Sequence, residues 1–182
     1  MPSRNRASAP CLLLLDNFIR AESDRYFSAV ALNEDGFGKF EHKREVSPID
    51  HQNIIRQNRD TLYSAGVFDL DAGPVTITLP DAGNRFMSMQ VIDEDQYSPP
   101  AIYEPGPHTL TKEKIGTRYV LAAVRTLVNP ADPADVERAR ALQDAIKVES
   151  AGRSRQIRGA CMGHSEEESP RLDAGGLFLV DR

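Results

Sequence analysis

A chain of 182 residues, 40% hydrophobic and 7% aromatic, has enough apolar material for one core and the length of one ordinary domain. Its net charge of −5 excludes the basic footprint of a nucleic-acid binder, and no apolar run approaches the ~20 residues that span a bilayer. The two cysteines, Cys11 and Cys161, lie far apart, which excludes a disulfide framework and a cysteine-built metal site.

Residues 1–15 read as a disordered leader, polar and proline-containing at the start. Arg4 and Arg6 ahead of Cys11-Leu12-Leu13-Leu14-Leu15 have the order of an export signal. The apolar stretch is shorter than the ~7–15 residues such a signal needs, and no small-residue cleavage site follows, so the expected location is cytoplasmic. Asp16 or Asn17 can cap a helix running to about Leu32, with Phe18, Ile19, Tyr26, Phe27 and Val30 as its apolar stripe. From Phe37 to Pro48 no period emerges, and this segment reads as a loop ordered by packing of Phe37 and Phe40.

Asn53 to Asp95 carries the clearest strand signals. Leu62 to Leu70 alternates loosely, Val75, Ile77 and Leu79 alternate with Thr76 and Thr78, and Phe86 to Asp93 is apolar on both faces. Asp71-Ala72-Gly73-Pro74 and Pro80-Asp81-Ala82-Gly83-Asn84 form the turns between them. No crossover helix fits in either turn, so the three strands are expected to form an antiparallel meander. Gln96 to Pro107, with four prolines, reads as loop or edge. Thr109 to Lys114 reads as a short strand, and Tyr119 to Val128 as a central strand covered on both faces. Asp132 and Pro133 then open a helix with Val136, Ala139, Leu142 and Ile146 on its apolar face, expected to reach Val148.

The fold class that follows is mainly β: an antiparallel, jelly-roll-like β-sandwich over residues 16–150 with an N-terminal and a C-terminal helix packed on it. Residues 151–182 have no sustained period and form an irregular tail.

The segments DNFIRAESDRYF, GFGKF, NRDTLYSAGVFDLDAGPVTITLPDAG, RFMSMQVIDED, TLTKEKIGTRYV and DPADVERARALQDAIKV occur in this order between Asp16 and Val148. Together they resemble domain of unknown function family 1254. The resemblance implies a jelly-roll-like sandwich and no settled activity. It also implies a partner, a C-terminal domain of unknown function 1214, that follows in longer members. Those members continue past the last helix with a Gly-Lys-aromatic-Glu-Val-Pro-x-Trp-Asp stretch, which this chain lacks. Read one nucleotide later, Met162-Gly163 forces a Trp codon, and permitted codons let Gly152 to Pro170 read GRGKYEVPAWDTVKKKVRD. Residues from about 152 onward are therefore expected to be a frameshift product of a truncated two-domain protein.

The densest cluster of polar side chains is Asn58, Arg59, Asp60 and Tyr63, with Thr61 and Ser64 beside them. Arg59 can hold a carboxylate or phosphate bidentately, and Tyr63 or Asp60 can move a proton. The structural alternative is a buried Arg59–Asp60 network pinning the entry to the first strand. His42, Asp50, His51 and His108 are the possible metal ligands, but their spacing matches no metal motif. No metal site is expected, and no feature of the chain calls for a cofactor. Asp93-Glu94-Asp95 is either a solvated strand end or a calcium or acid–base cluster. Ser64 lacks the Gly-x-Ser-x-Gly elbow of a serine hydrolase. Two functions remain: a lobe that binds a small ligand or its partner domain, or part of an enzyme, plausibly a hydrolase, working around Asn58, Arg59, Asp60 and Tyr63. A lobe lacking its partner exposes an apolar face and is expected to self-associate. Resequencing the codons for Ser150 to Arg182 is expected to find a base lost or gained; an intact frame overturns the frameshift.

Overall fold

The computed structural model describes residues 18–33, 35–50, 57–99, 101–150 and 152. The leader, His51 and nearly all of the irregular tail, including the stretch expected to be frameshifted, lie outside the described residues. In chain order the elements are α1 (Phe18–Ser28) with a π-helical turn at Ala29–Asn33, β1 (Glu41–His42), β2 (Thr61–Asp69), β3 (Val75–Leu79) and β4 (Met87–Asp93). Next come β5 (Gly106–Leu110), α2 (Lys112–Ile115), β6 (Tyr119–Leu127), α3 (Pro133–Asp144) and β7 (Lys147–Ser150).

The strands form two antiparallel sheets, ordered β1-β2-β6-β4 and β5-β3-β7. Each sheet has an apolar face, and the two share one core. Phe68, Val120, Ala122, Val124, Met89 and Val91 from the first meet Val75, Ile77, Leu79 and Leu110 from the second. The mainly-β class with helices at both ends is as the sequence pattern implied.

The meander is not. β2, β3 and β4 do not pair with one another: β2 and β4 flank β6, and β3 lies in the other sheet between β5 and β7. The two tight turns pass the chain from sheet to sheet. The apolar faces of β2 and β3 each need a facing layer, and putting the strands in opposite sheets covers both at once. At the first turn, the Asp69 carboxylate accepts the Asp71 N–H at 3.0 Å and two bonds from Arg118 at 3.1 and 2.8 Å. Those bonds hold the Arg118 guanidinium above its ordinary basicity.

Three further boundaries differ from the pattern-based reading. The strand expected at Thr109–Lys114 lies earlier, at Gly106–Leu110, with Pro107 tolerated because β5 is an edge strand. Thr111 then caps a single helical turn that closes at Gly116, whose φ of 91° favours glycine. The last helix stops at Asp144, short of Val148. Ile146 and Val148 are β-branched and alternate with Lys147 and Glu149, and the open edge of β3 offers backbone partners, so Val148 aligns with Ile77 in a strand. Only part of the α1 stripe is used: Phe27 is buried with Ala31 against Val67 and Tyr119, while Phe18, Ile19 and Tyr26 are exposed.

Polar ties set how the helices meet the sheets. Asp132 caps α3 through the Ala134 N–H at 2.9 Å. Asp135 receives Arg85 at 2.9 and 2.5 Å and the Asn129 N–H at 2.8 Å, so its carboxyl is held well below the usual range, by Arg85 first. Arg85 also donates to Leu127 O at 2.6 Å, tying the turn before β4 to the end of β6.

Two outcomes follow. At Gly66 an added Cβ would lie 2.5 Å from Lys39 O and 3.0 Å from Phe68 Cζ, so Gly66→Ala should cost ~1–3 kcal/mol in urea unfolding. Asp135→Asn should lower Tm at neutral pH. A depressed carboxyl contributes stability above its unfolded value of about 3.9 and loses it as pH falls, so the gap between variant and parent should close in acid.

Candidate functional site

Alternation along β2 and β6 sends Tyr63, Ala65 and Val67 outward, away from the core, opposite Arg125, Ala123 and Leu121. The N-terminal helix and its π turn cover one end of this outer face, where Phe27, Val30 and Ala31 pack with Val67, Tyr119 and Leu121. Among the described residues no helix covers the other end. There the Arg125 guanidinium lies 5.8 Å from the centre of the half-buried Tyr63 ring. β4 adds Ser88 opposite Arg125, and the exposed Leu127 donates its N–H to Phe86 O at 3.0 Å. Phe86 is 47% exposed and packs on Tyr103, 58% exposed, at 5.9 Å between ring centres. Tyr63, Arg125, Leu127, Phe86 and Tyr103 thus form an aromatic and apolar band around one exposed cation.

Of the four residues singled out by sequence, Tyr63 belongs to this band. Asn58, Arg59 and Asp60 are exposed at the foot of β2. Arg59 Nε donates to Ser47 O at 2.8 Å, and the Asp60 carbonyl accepts the Val128 N–H at 2.8 Å. The buried Arg59–Asp60 network is therefore corrected: with both residues in solvent, Arg59 ties the preceding loop to the strand entry instead. Arg125 went unremarked in the sequence, although a signal was present. It interrupts the apolar face of Leu121, Ala123 and Leu127 at its own parity, and a charge there marks the wet end of that face.

The other candidates are dispersed. His42 is on β1 and His108 on β5, in different sheets, and Asp50 is exposed. Among the described residues no three His, Cys, Asp or Glu side chains come together to hold a metal ion. Asp93-Glu94-Asp95 is no solvated strand end. Asp93 and Glu94 are buried, and each has an oxygen that accepts backbone N–H groups. Asp93 accepts the N–H groups of Asp95 and Tyr97 at 2.9 and 2.8 Å, and Glu94 accepts the Tyr119 N–H at 2.9 Å. Arg20 of α1 clamps Asp95 at 2.5 and 2.8 Å, which latches the helix to this turn and raises the guanidinium pKa.

Ser64 has a close base. Its Oγ lies 2.8 Å from His42 Nδ1, a nucleophile–base spacing. Yet Ser64 is 1% exposed, pointing into the sandwich beneath β1, and its Oγ also faces Gln143 Nε2 at 3.1 Å. No substrate carbonyl can reach it. The described surface holds a small cleft of about 60 Å³ beside the Pro80–Arg85 turn, roomy for a few waters and far short of a ligand pocket's ~300 Å³.

Residues 37–112 match the model of a family described as protein of unknown function, DUF1254. The matched segment runs from the loop before β1 to the start of α2, and so contains β2, β3, β4 and the entry to the band. The crystal structure of the VPA0106 protein from Vibrio parahaemolyticus is similar, with a TM-score of 0.61 at 16% identity over 85% of this chain. At that identity the likeness shows the fold. The chain spans 42% of that protein's length. No curated protein matches.

Ser64 is expected to stay unlabelled when the folded protein is treated with a fluorophosphonate serine probe; stoichiometric labelling read by mass spectrometry would overturn its structural role.

Proposed function

We propose that this sandwich is a non-catalytic lobe that binds through the outer face of β2, β6 and β4, and that its occupant is a partner domain. The observation that carries the reading is the half of that face left without a cover among the described residues. One end of the sheet is covered by α1, and the other presents Tyr63, Arg125, Leu127, Phe86 and Tyr103 to solvent. Aromatic residues and Arg are the types that dominate protein interfaces, because they bury large areas at low entropic cost and Arg adds directional hydrogen bonds. The greater length of the similar solved protein supports a partner contributed by further polypeptide.

The competing reading is a hydrolase-like site around Asn58, Arg59, Asp60 and Tyr63. It draws support from the Arg125 guanidinium lying 5.8 Å from the centre of the Tyr63 ring, which brings a cation beside a phenol on one face. Two substitutions separate the readings. Tyr63→Phe removes the proton and keeps the ring, so an enzyme loses turnover and a docking lobe keeps its affinity. Arg125→Glu with Leu127→Ser reverses the charge and removes an apolar contact, so a docking lobe loses its partner.

Without that partner the band is open to a second copy. Sedimentation velocity on the 182-residue chain is expected to show concentration-dependent self-association. The Arg125→Glu/Leu127→Ser double variant should shift it toward monomer. A parent that remains monomeric at high concentration, or an association the variant leaves unchanged, overturns the docking face.

A further inference from the structure

The Ser64–His42 contact that fails as a catalytic pair has a geometry suited to something else. β1 is two residues long and pairs with β2 only through Glu41 with Ala65 and His42 with Ser64, extended by the Lys43 N–H to Tyr63 O at 2.8 Å. So short a strand needs side-chain ties to stay in place: Arg44 and Arg140 bind the chain after it to α3, and His42 with Ser64 and Gln143 binds the strand itself to β2 and α3. Gln143, fully buried on α3, points its amide nitrogen at Lys43 O, Tyr63 O and Ser64 Oγ at 3.2, 3.1 and 3.1 Å. Three acceptors around one nitrogen fix the amide's orientation, since the flipped oxygen would face two carbonyls. The two amide hydrogens serve three acceptors; with one of them on Ser64 Oγ, Ser64 gives its own hydrogen to His42 Nδ1, which then accepts in a neutral ring carrying its proton on Nε2.

We propose that His42 is a pH-operated latch: neutral, it fastens β1 to β2 and α3 through Ser64 and Gln143, and protonation releases β1 and opens the edge of β2.

Protonation turns Nδ1 into a donor. The Ser64 hydroxyl must then turn its hydrogen away, toward a Gln143 amide nitrogen that is itself a donor, in a site closed to water. The charged groups around the ring do not rescue the cation. Arg44, in the loop after β1, repels it. Asp144 on α3 and Glu41 on β1 attract it, but Asp144 is already paired with Arg44 at 2.5 Å. Phe40 packs against the ring at 6.3 Å between centres and holds water off that side. Burial first, and Arg44 second, hold the His42 pKa below its ordinary 6.5. A lowered histidine pKa means the unfolded strand binds the proton first as pH falls. The latch is intact above 6.5 and weakens as pH drops from there through the folded value. The β2 edge uncovered at Ser64 and Ala65 is a template onto which another strand can pair.

Hydrogen exchange of the backbone amides at residues 41–43, corrected for intrinsic rates, tests this at about pH 5 and about pH 7.5. In the parent chain, protection should fall about tenfold for each unit by which the ring is depressed, while amides of β3 and β6 hold. His42→Asn places an acceptor oxygen near the Nδ1 position and cannot titrate, so its protection should be the same at both values. An equal loss in this variant overturns the latch, as does an NMR titration of the His42 ring at or above its ordinary value. Should His42→Asn fail to fold, Arg44→Gln decides. It removes the repelling cation and frees Asp144, so the opening of β1 must move to higher pH, and an unmoved opening overturns the proposal.

Discussion

The pairing of β6 between β2 and β4 is the constraint on which the rest of this structure depends. Nine residues of β2 align with nine of β6, and seven of β4 align along its other side. Val120, Ala122 and Val124 are fully buried at the centre of the resulting sheet. A strand bonded on both edges and apolar on both faces cannot remain in solvent, so each face recruits a cover. The inner face takes the second sheet, with Ile77 and Val75 buried against it. The outer face takes α1 at one end, through Phe27 and Ala31. What that cover leaves bare is the band around Tyr63 and Arg125, so the candidate interface is what remains once the core has been satisfied.

The polar ties are subordinate in energy and decisive in geometry. A fully buried side chain such as Phe68 or Ile77 contributes ~1.5–3 kcal/mol by leaving water, whereas an exposed pair such as Arg25–Glu22 contributes at most ~1 kcal/mol. Stability therefore rests on the sheets' shared core. The Arg85–Asp135 and Arg20–Asp95 pairs instead join elements distant in sequence and choose how helix meets sheet, and Arg118–Asp69 ties the end of β2 to the start of β6. The cluster of His42, Ser64 and Gln143 does the same at the edge of the sheet, and its consequence is sharper because Ser64 and Gln143 are buried. In that setting a hydrogen bond donor facing a donor is not relieved by solvent.

The candidate site was half legible in the sequence, for a physical reason. Tyr63 stood out because it sits in a dense polar run, and the structure places it on the bare face. Arg59 and Asp60 stood out equally, and they are solvent-facing neighbours of the strand entry. Composition marks where polar side chains are concentrated along the chain, whereas a site depends on where they converge in space. Arg125, Phe86 and Tyr103 come from other elements and reach Tyr63 or one another only through sheet pairing. Likewise nothing local in sequence joins His42, Ser64 and Gln143.

By itself the sequence determined the fold class and most of the elements. The period-2 runs at Leu62–Leu70, Val75–Leu79 and Tyr119–Val128 are properties of successive side chains, and so are the proline-capped helix start at Asp132 and the turns at Gly73 and Gly83. Nearest-neighbour sterics and hydrophobic periodicity are sufficient to specify them. Tertiary structure alone decided which strands pair, that β3 crosses to the second sheet, and that the chain after Asp144 leaves the helix to form β7 at Lys147–Ser150 along the edge of β3. It also decided that Asp93 and Glu94 are buried and that Ser64 is shut away from substrate. Those outcomes turn on long-range backbone pairing and on which face finds a cover, and no local window of residues contains either.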